Sequence, residues 1–244
     1  MRTTAAVAAL DTTGPRDDVL ARLVEGARGR GPLTRELGRI GLARVDPQHD
    51  ALRHLVGRPA ELTRRDRPSH TAVVTHGTFA SRTRWWQPGG NFYTYPDALQ
   101  PPLHLHDSSF RWSGLYSDGA RQLAAQQLAD WLVDQNLAVP DFFAHSHGGT
   151  VANLATFRSS GFRRLVLLSW PVHKEWFPDF TRIQRIIDIR VHFDLVILAD
   201  RGGQTFDPPP AHRSKVASHV NGWFDHGTTH DPGYWDSHAL PAAL

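Results

Sequence analysis

The chain has 244 residues, with 40% hydrophobic, 21% charged and 10% aromatic composition and a formal net charge of +3. A chain of this size and composition builds a core of its own, which excludes a disordered, collagen-like or coiled-coil protein. The lack of cysteine excludes disulfide frameworks, thiolate metal centres and a cysteine nucleophile, and no run reaches the ~18 apolar residues of a membrane span.

Composition divides the chain near position 70. All 24 aromatic residues lie beyond it, and the first 70 residues carry 13 Arg against 9 Asp and Glu. The first ten residues are largely apolar, but Asp11 cuts the run short of a secretory leader, so a cytoplasmic start is expected. Residues 1–70 read as a helical extension. Apolar spacing predicts helices over residues 15–27, with Val19, Leu20, Leu23 and Val24 on one face, then over residues 33–40 and 50–56. The arginines are interleaved with acids and no aromatic is present to stack on a base, so no nucleic-acid partner is expected.

From Thr71 short apolar runs alternate with helical stretches. Strands are expected at residues 71–75, 142–144, 165–169 and 186–193, and helices at 118–135 and 149–157. Strands alternating with helices predict an α/β fold over residues 71–244, with a mainly parallel sheet and helices on both of its faces. Only about 16 residues separate the last two strands, too few for a large cap. Any cover for a site must come from the aromatic run Trp85, Trp86, Phe92, Tyr93, Tyr95 or from residues 1–70.

In open α/β sheets the chemistry sits at the carboxyl ends of strands. The run Phe143-Ala144-His145-Ser146-His147-Gly148-Gly149 takes an apolar strand through one serine into a small-residue helix start. A serine held on a sharp strand-to-helix turn needs small residues two before and two after it, and Ala144 and Gly148 stand there. Seventy residues earlier, Val73-Val74-Thr75-His76-Gly77-Thr78-Phe79 is a strand ending in His-Gly.

Together these motifs resemble the lipase and esterase branch of the α/β-hydrolase superfamily, with Ala144 in place of the first Gly of G-x-S-x-G. The resemblance covers about residues 71–240 and implies Ser146 as nucleophile, with the backbone N–H groups of Thr78 and His147 receiving an oxyanion. The family order Ser, acid, His selects Asp194, just past the second strand after the serine, with Asp200 in reserve. The base is then a late histidine, His226 in Asp225-His226-Gly227, with His230 the rival. Phe79, Trp85, Trp86 and His145 are candidate walls of a substrate pocket.

Fifteen histidines also raise the question of a metal. The spacings His104-x-His106, His145-x-His147 and His226-x3-His230 could each serve one, yet no His-Glu-x-x-His helix is present and His145 and His147 flank the serine. Neither metal nor cofactor is expected. The function that follows is hydrolysis of a small-molecule or lipid ester through an acyl-enzyme, with amidase, thioesterase or acyltransferase chemistry open to the same residues. A catalytically silent binding module on the same scaffold is the alternative, because fold does not secure function. Oligomeric state is left open.

Overall fold

The computed structural model describes residues 2–57, 71–99, 103, 105–159 and 161–244. The chain opens with helices α1 (Arg2–Thr13), α2 (Asp17–Ala27), α3 (Pro32–Val45) and the single turn α4 (Asp50–Arg53). Strand β1 (Ala72–Thr75), the short helix α5 (Asn91–Thr94) and the long helix α6 (Asp118–Asp134) follow. Next come β2 (Asp141–His145), α7 (His147–Ala155), β3 (Phe162–Leu168), β4 (Ile183–Arg190), α8 (Leu195–Ala199), β5 (Val216–Val220) and α9 (Pro232–Ser237).

The five strands form one parallel sheet in the order β1-β2-β3-β4-β5. A parallel sheet is covered on both faces, and the central stretches of β1 to β4 are accordingly apolar and buried. Successive side chains alternate between two cores. Val73, Phe142, Ala144, Leu165, Leu167 and Ile186 pack against α6 and α7. Val74, Phe143, Val166, Leu168, Ile187 and Ile189 pack against Trp86, Phe92, Tyr234 and Trp235. Ser117 caps α6 by accepting the Ala120 N–H at 3.2 Å, and Asp231 caps α9 by accepting the Tyr234 N–H at 3.0 Å, with Pro232 in the first turn.

The first three helices bury a third cluster, in which Ala6, Val7, Leu10, Leu23, Leu37 and Ile40 meet Phe79, Val196 and Ala199. The N-terminal helices thus sit over the carboxyl ends of β1 and β4, where Phe79 and α8 lie. Proline at the first position of α3 starts that helix one residue before the expected point, and it runs five residues past residue 40 to Val45.

Several elements were not expected, α1 and the edge strand β5 among them. Residues 2–13 form a helix, because Ala6, Val7 and Leu10 have a partner surface on α2 and α3. The edge strand β5 was not expected: its half-exposed Val-Ala-Ser-His-Val lacks both alternation and an apolar run, and it exists by pairing with β4. β4 also ends at Arg190 rather than 193.

Candidate active site

The turn between β2 and α7 places Ser146 at φ 53°, ψ −132°, outside the regions a side chain prefers. Its N–H is held by the Leu168 carbonyl at 2.8 Å, so the neighbouring strand pins the turn. Close approach of the β1 loop explains two glycines. A Cβ on Gly77 would lie 2.6 Å from Ser146 Cβ, and one on Gly148 would lie 2.5 Å from the His76 carbonyl oxygen. Ala144 is fully buried, and its single methyl is accommodated where a smaller residue is usual.

The loop after β1 is held from behind. His76 packs on Trp86 at 4.4 Å and stacks on Trp112 at 5.6 Å, and the Trp112 indole N–H donates to the His76 carbonyl at 2.8 Å. Burial lowers the His76 pKa to about 4, so the ring is neutral and structural. Phe79, at φ 59°, donates its N–H to Gly114 at 2.9 Å. Thr78 and Ser146 line one cavity, and no hydrogen bond engages the Thr78 N–H among the described residues. The His147 N–H belongs to the first turn of α7, where the helix itself offers no acceptor.

Asp194 and His226 come together through the sheet edge. A bridge between Asp194 and Phe224 prolongs the β4–β5 pairing, and the loop that follows brings His226 Nδ1 to 2.7 Å from Asp194 Oδ2. Asp194 divides its oxygens. Oδ2 accepts from His226, while Oδ1 caps α8 through the N–H groups of Val196 and Ile197 at 2.9 and 3.1 Å. Its backbone is clamped by Gln204, whose amide accepts the Asp194 N–H at 2.8 Å and donates to its carbonyl at 2.9 Å. Both Asp194 and His226 are almost fully buried. Burial opposes charge on His226, but the adjacent carboxylate outweighs it and raises the pKa to about 9.

Ser146 and His226 line one cavity of about 480 Å³. Ser146 makes no hydrogen bond to His226 there, a looseness common at ligand-free sites. Phe79, Trp85, His145 and His230 share its wall. His145 Nε2 donates to the His226 carbonyl at 3.1 Å, fixing the loop that carries the imidazole. His230 stacks face to face on Trp85 at 3.9 Å, and burial lowers its pKa to about 4. Trp86 requires correction as a pocket wall. It is buried beneath the loop, with its indole N–H on the Ala80 carbonyl at 2.9 Å.

The reserve acid Asp200 serves another group. It receives His147 Nε2 at 2.9 Å and His173 Nε2 at 2.8 Å and does not reach His226. Burial lowers the His147 pKa, leaving a neutral imidazole that donates to an anionic Asp200. The His145 and His147 rings therefore face different partners, as do those of His226 and His230. Neither pair chelates one ion, and His104 lies outside the described residues.

Sequence reading missed the contribution of α3. Pro32, Leu33, Glu36 and Arg39 line the cavity, as do Trp223 and Phe224. Burial raises the Glu36 pKa, although His226 pulls the other way. The signal was the i, i+3, i+4 spacing of Leu33, Glu36 and Leu37, which sets a carboxylate beside the apolar stripe.

The chain matches no protein-family model and no curated protein. Among solved structures, a predicted CIB-like hydrolase from Thermoplasma acidophilum is similar at a TM-score of 0.45 and 12% identity, over 72% of this chain and 87% of that one.

Proposed function

We propose that the protein is a serine hydrolase of the α/β-hydrolase type that cleaves carboxylic esters through Ser146, His226 and Asp194. The observation that carries this reading is the buried Asp194–His226 hydrogen bond at the wall of the cavity that holds Ser146 on a strained turn. Strain of this kind is retained where it serves a site, since it costs of order 1–3 kcal/mol.

In the proposed reaction His226 Nε2 takes the Ser146 hydroxyl proton as Oγ attacks the ester carbonyl. Asp194 fixes the imidazole with Nδ1–H inward and stabilises its charged form. The Thr78 and His147 N–H groups receive the developing oxyanion, each worth about 3–4 kcal/mol in comparable sites. His226 then protonates the leaving alcohol, and water attacks the acyl-enzyme by the same route in reverse. Ser146 must turn toward His226 when substrate excludes water from the cavity. The cavity volume and the apolar faces of Leu33, Phe79 and Trp85 suit a small or medium acyl ester.

Turnover of a p-nitrophenyl ester series by acyl chain length tests the proposal. Ser146→Ala should reduce the best rate by about 10⁴-fold or more. Undiminished turnover in that variant would overturn the assignment, and no turnover of any ester by the native chain would favour a silent binding module.

A further inference from the structure

Beside the serine turn, three side chains from separate segments converge. His147 opens α7, His173 follows β3, and Asp200 ends α8. Each imidazole directs Nε2 at a different oxygen of Asp200, at 2.9 and 2.8 Å, and the donor atoms of the three residues all lie within 4.8 Å of one another. The rings are nearly parallel, 16° apart in plane with centroids 6.1 Å apart.

The far nitrogens are also provided for. His147 Nδ1 lies 3.1 Å from the Thr150 hydroxyl, which can accept or donate, and His173 Nδ1 faces the Glu175 carboxylate at 3.8 Å. Inward Nε2 atoms with Nδ1 turned to an oxygen are the outer-shell arrangement of metal-bound histidine. His173, Glu175 and Asp200 line a pocket of about 850 Å³ that opens to solvent, which supplies both an entry path and room for a water ligand. Arg44, Arg121 and Arg201 line the same pocket; Arg121 pairs through one nitrogen with Asp118 at 2.7 Å and lies over the Tyr116 and Trp176 rings at 5.0 and 4.7 Å.

From this geometry we infer that His147, His173 and Asp200 form a site for one divalent transition-metal ion of the zinc type. Two imidazoles and a carboxylate suit zinc, whereas calcium and magnesium prefer oxygen donors. Tetrahedral zinc sets its donor atoms about 3.3 Å apart, so the two Nε2–oxygen contacts would open by about 0.5 Å and the widest separation in the cluster, within 4.8 Å, would close toward the same value. Each neutral imidazole would bind through Nε2 as its single proton moves to Nδ1, where the Thr150 hydroxyl and the Glu175 carboxylate accept it, so a neutral ring releases no net proton. Because His147 follows Ser146 directly, the ion would stiffen the serine turn without entering the chemistry. Histidine spacing hides such a site, since its ligands stand 26 and 27 residues apart.

Calorimetric titration of the chelator-treated native chain with zinc chloride tests the inference, together with cobalt chloride titration followed by visible absorption. The expected result is one saturable equivalent of zinc, cobalt absorption bands of a low-coordinate nitrogen–oxygen site, and a thermal midpoint that climbs with zinc concentration. His173→Gln keeps a donor for Asp200 but removes a metal ligand. It should abolish the cobalt bands and weaken zinc by about 100-fold or more, while melting as the native chain does in chelator. No saturable uptake or no cobalt bands in the native chain would overturn the inference. Undiminished binding in a folded His173→Gln chain would overturn it as well, by placing the ion on other histidines.

Discussion

Asp194 carries two duties on one carboxylate, and the division of its oxygens sets what substitution should do. Asp194→Asn keeps an oxygen for the α8 cap and removes the charge that raises the His226 pKa. Ester turnover should fall by about 10⁴-fold with little loss of helix stability. His230→Ala should stay within about tenfold of the native rate, because its ring stacks on Trp85 while the Asp194 carboxylate orients His226 instead. Steady-state kinetics on the two variants separate the proposed base from its rival. A reversed ranking would move the base to His230. The raised His226 pKa also fixes the direction of the pH response. Base catalysis needs the neutral ring, so kcat/KM should climb with pH up to about 9 and level off above it. The same shift stabilises the fold with the opposite sense: it is fully present below about pH 6.5 and is lost as pH rises through about 9. The thermal midpoint should therefore fall over that window, and fall less in His226→Gln. At this scale, Ser146 was legible because its turn is encoded by adjacent residues. Glu36, Arg39 and Gln204 were not, since what places them at the site is packing between segments far apart in the chain.

Among elements, the β1 loop and the serine turn are built as a pair in near contact. Gly77→Ala would drive a methyl into Ser146 Cβ and the His145 carbonyl, 2.6 and 2.9 Å away. Overpacking of this kind costs about 1–3 kcal/mol, and the forced shift should lower kcat well before the chain unfolds. Denaturant titration beside esterase kinetics reads both effects. The helix α3 is the other element with a stated role. Glu36→Gln and Leu33→Ala alter the cavity wall rather than the reacting groups, so KM should change more than kcat across an acyl-length series. Strands β2 and β3 were readable within a few residues, because a strand buried on both faces must be apolar throughout. Strand β5 and helix α1 were not: β5 is an edge defined by its partner, and α1 has the apolar pattern with which a leader begins.

For the whole molecule, the compositional step near position 70 acquires a physical content. The aromatic-free helices share a core with Phe79 and α8, and α3 lines the cavity. We propose that the two parts unfold together, in one calorimetric transition. A chain beginning at Arg67 would expose Phe79, Val196 and Ala199 and should lose both thermal stability and esterase activity. A truncated chain with native activity would show that the first helices are dispensable. Among the described residues no helix is long and apolar enough to cross a membrane. The central claim is that Ser146 is a nucleophile activated by His226. Fluorophosphonate labelling followed by peptide mass spectrometry measures this directly, on the native chain and on Ser146→Ala and His226→Ala. The account predicts one adduct per chain, on Ser146, absent in the first variant and formed far more slowly in the second. No adduct, or an adduct on another residue at the native rate, would contradict it.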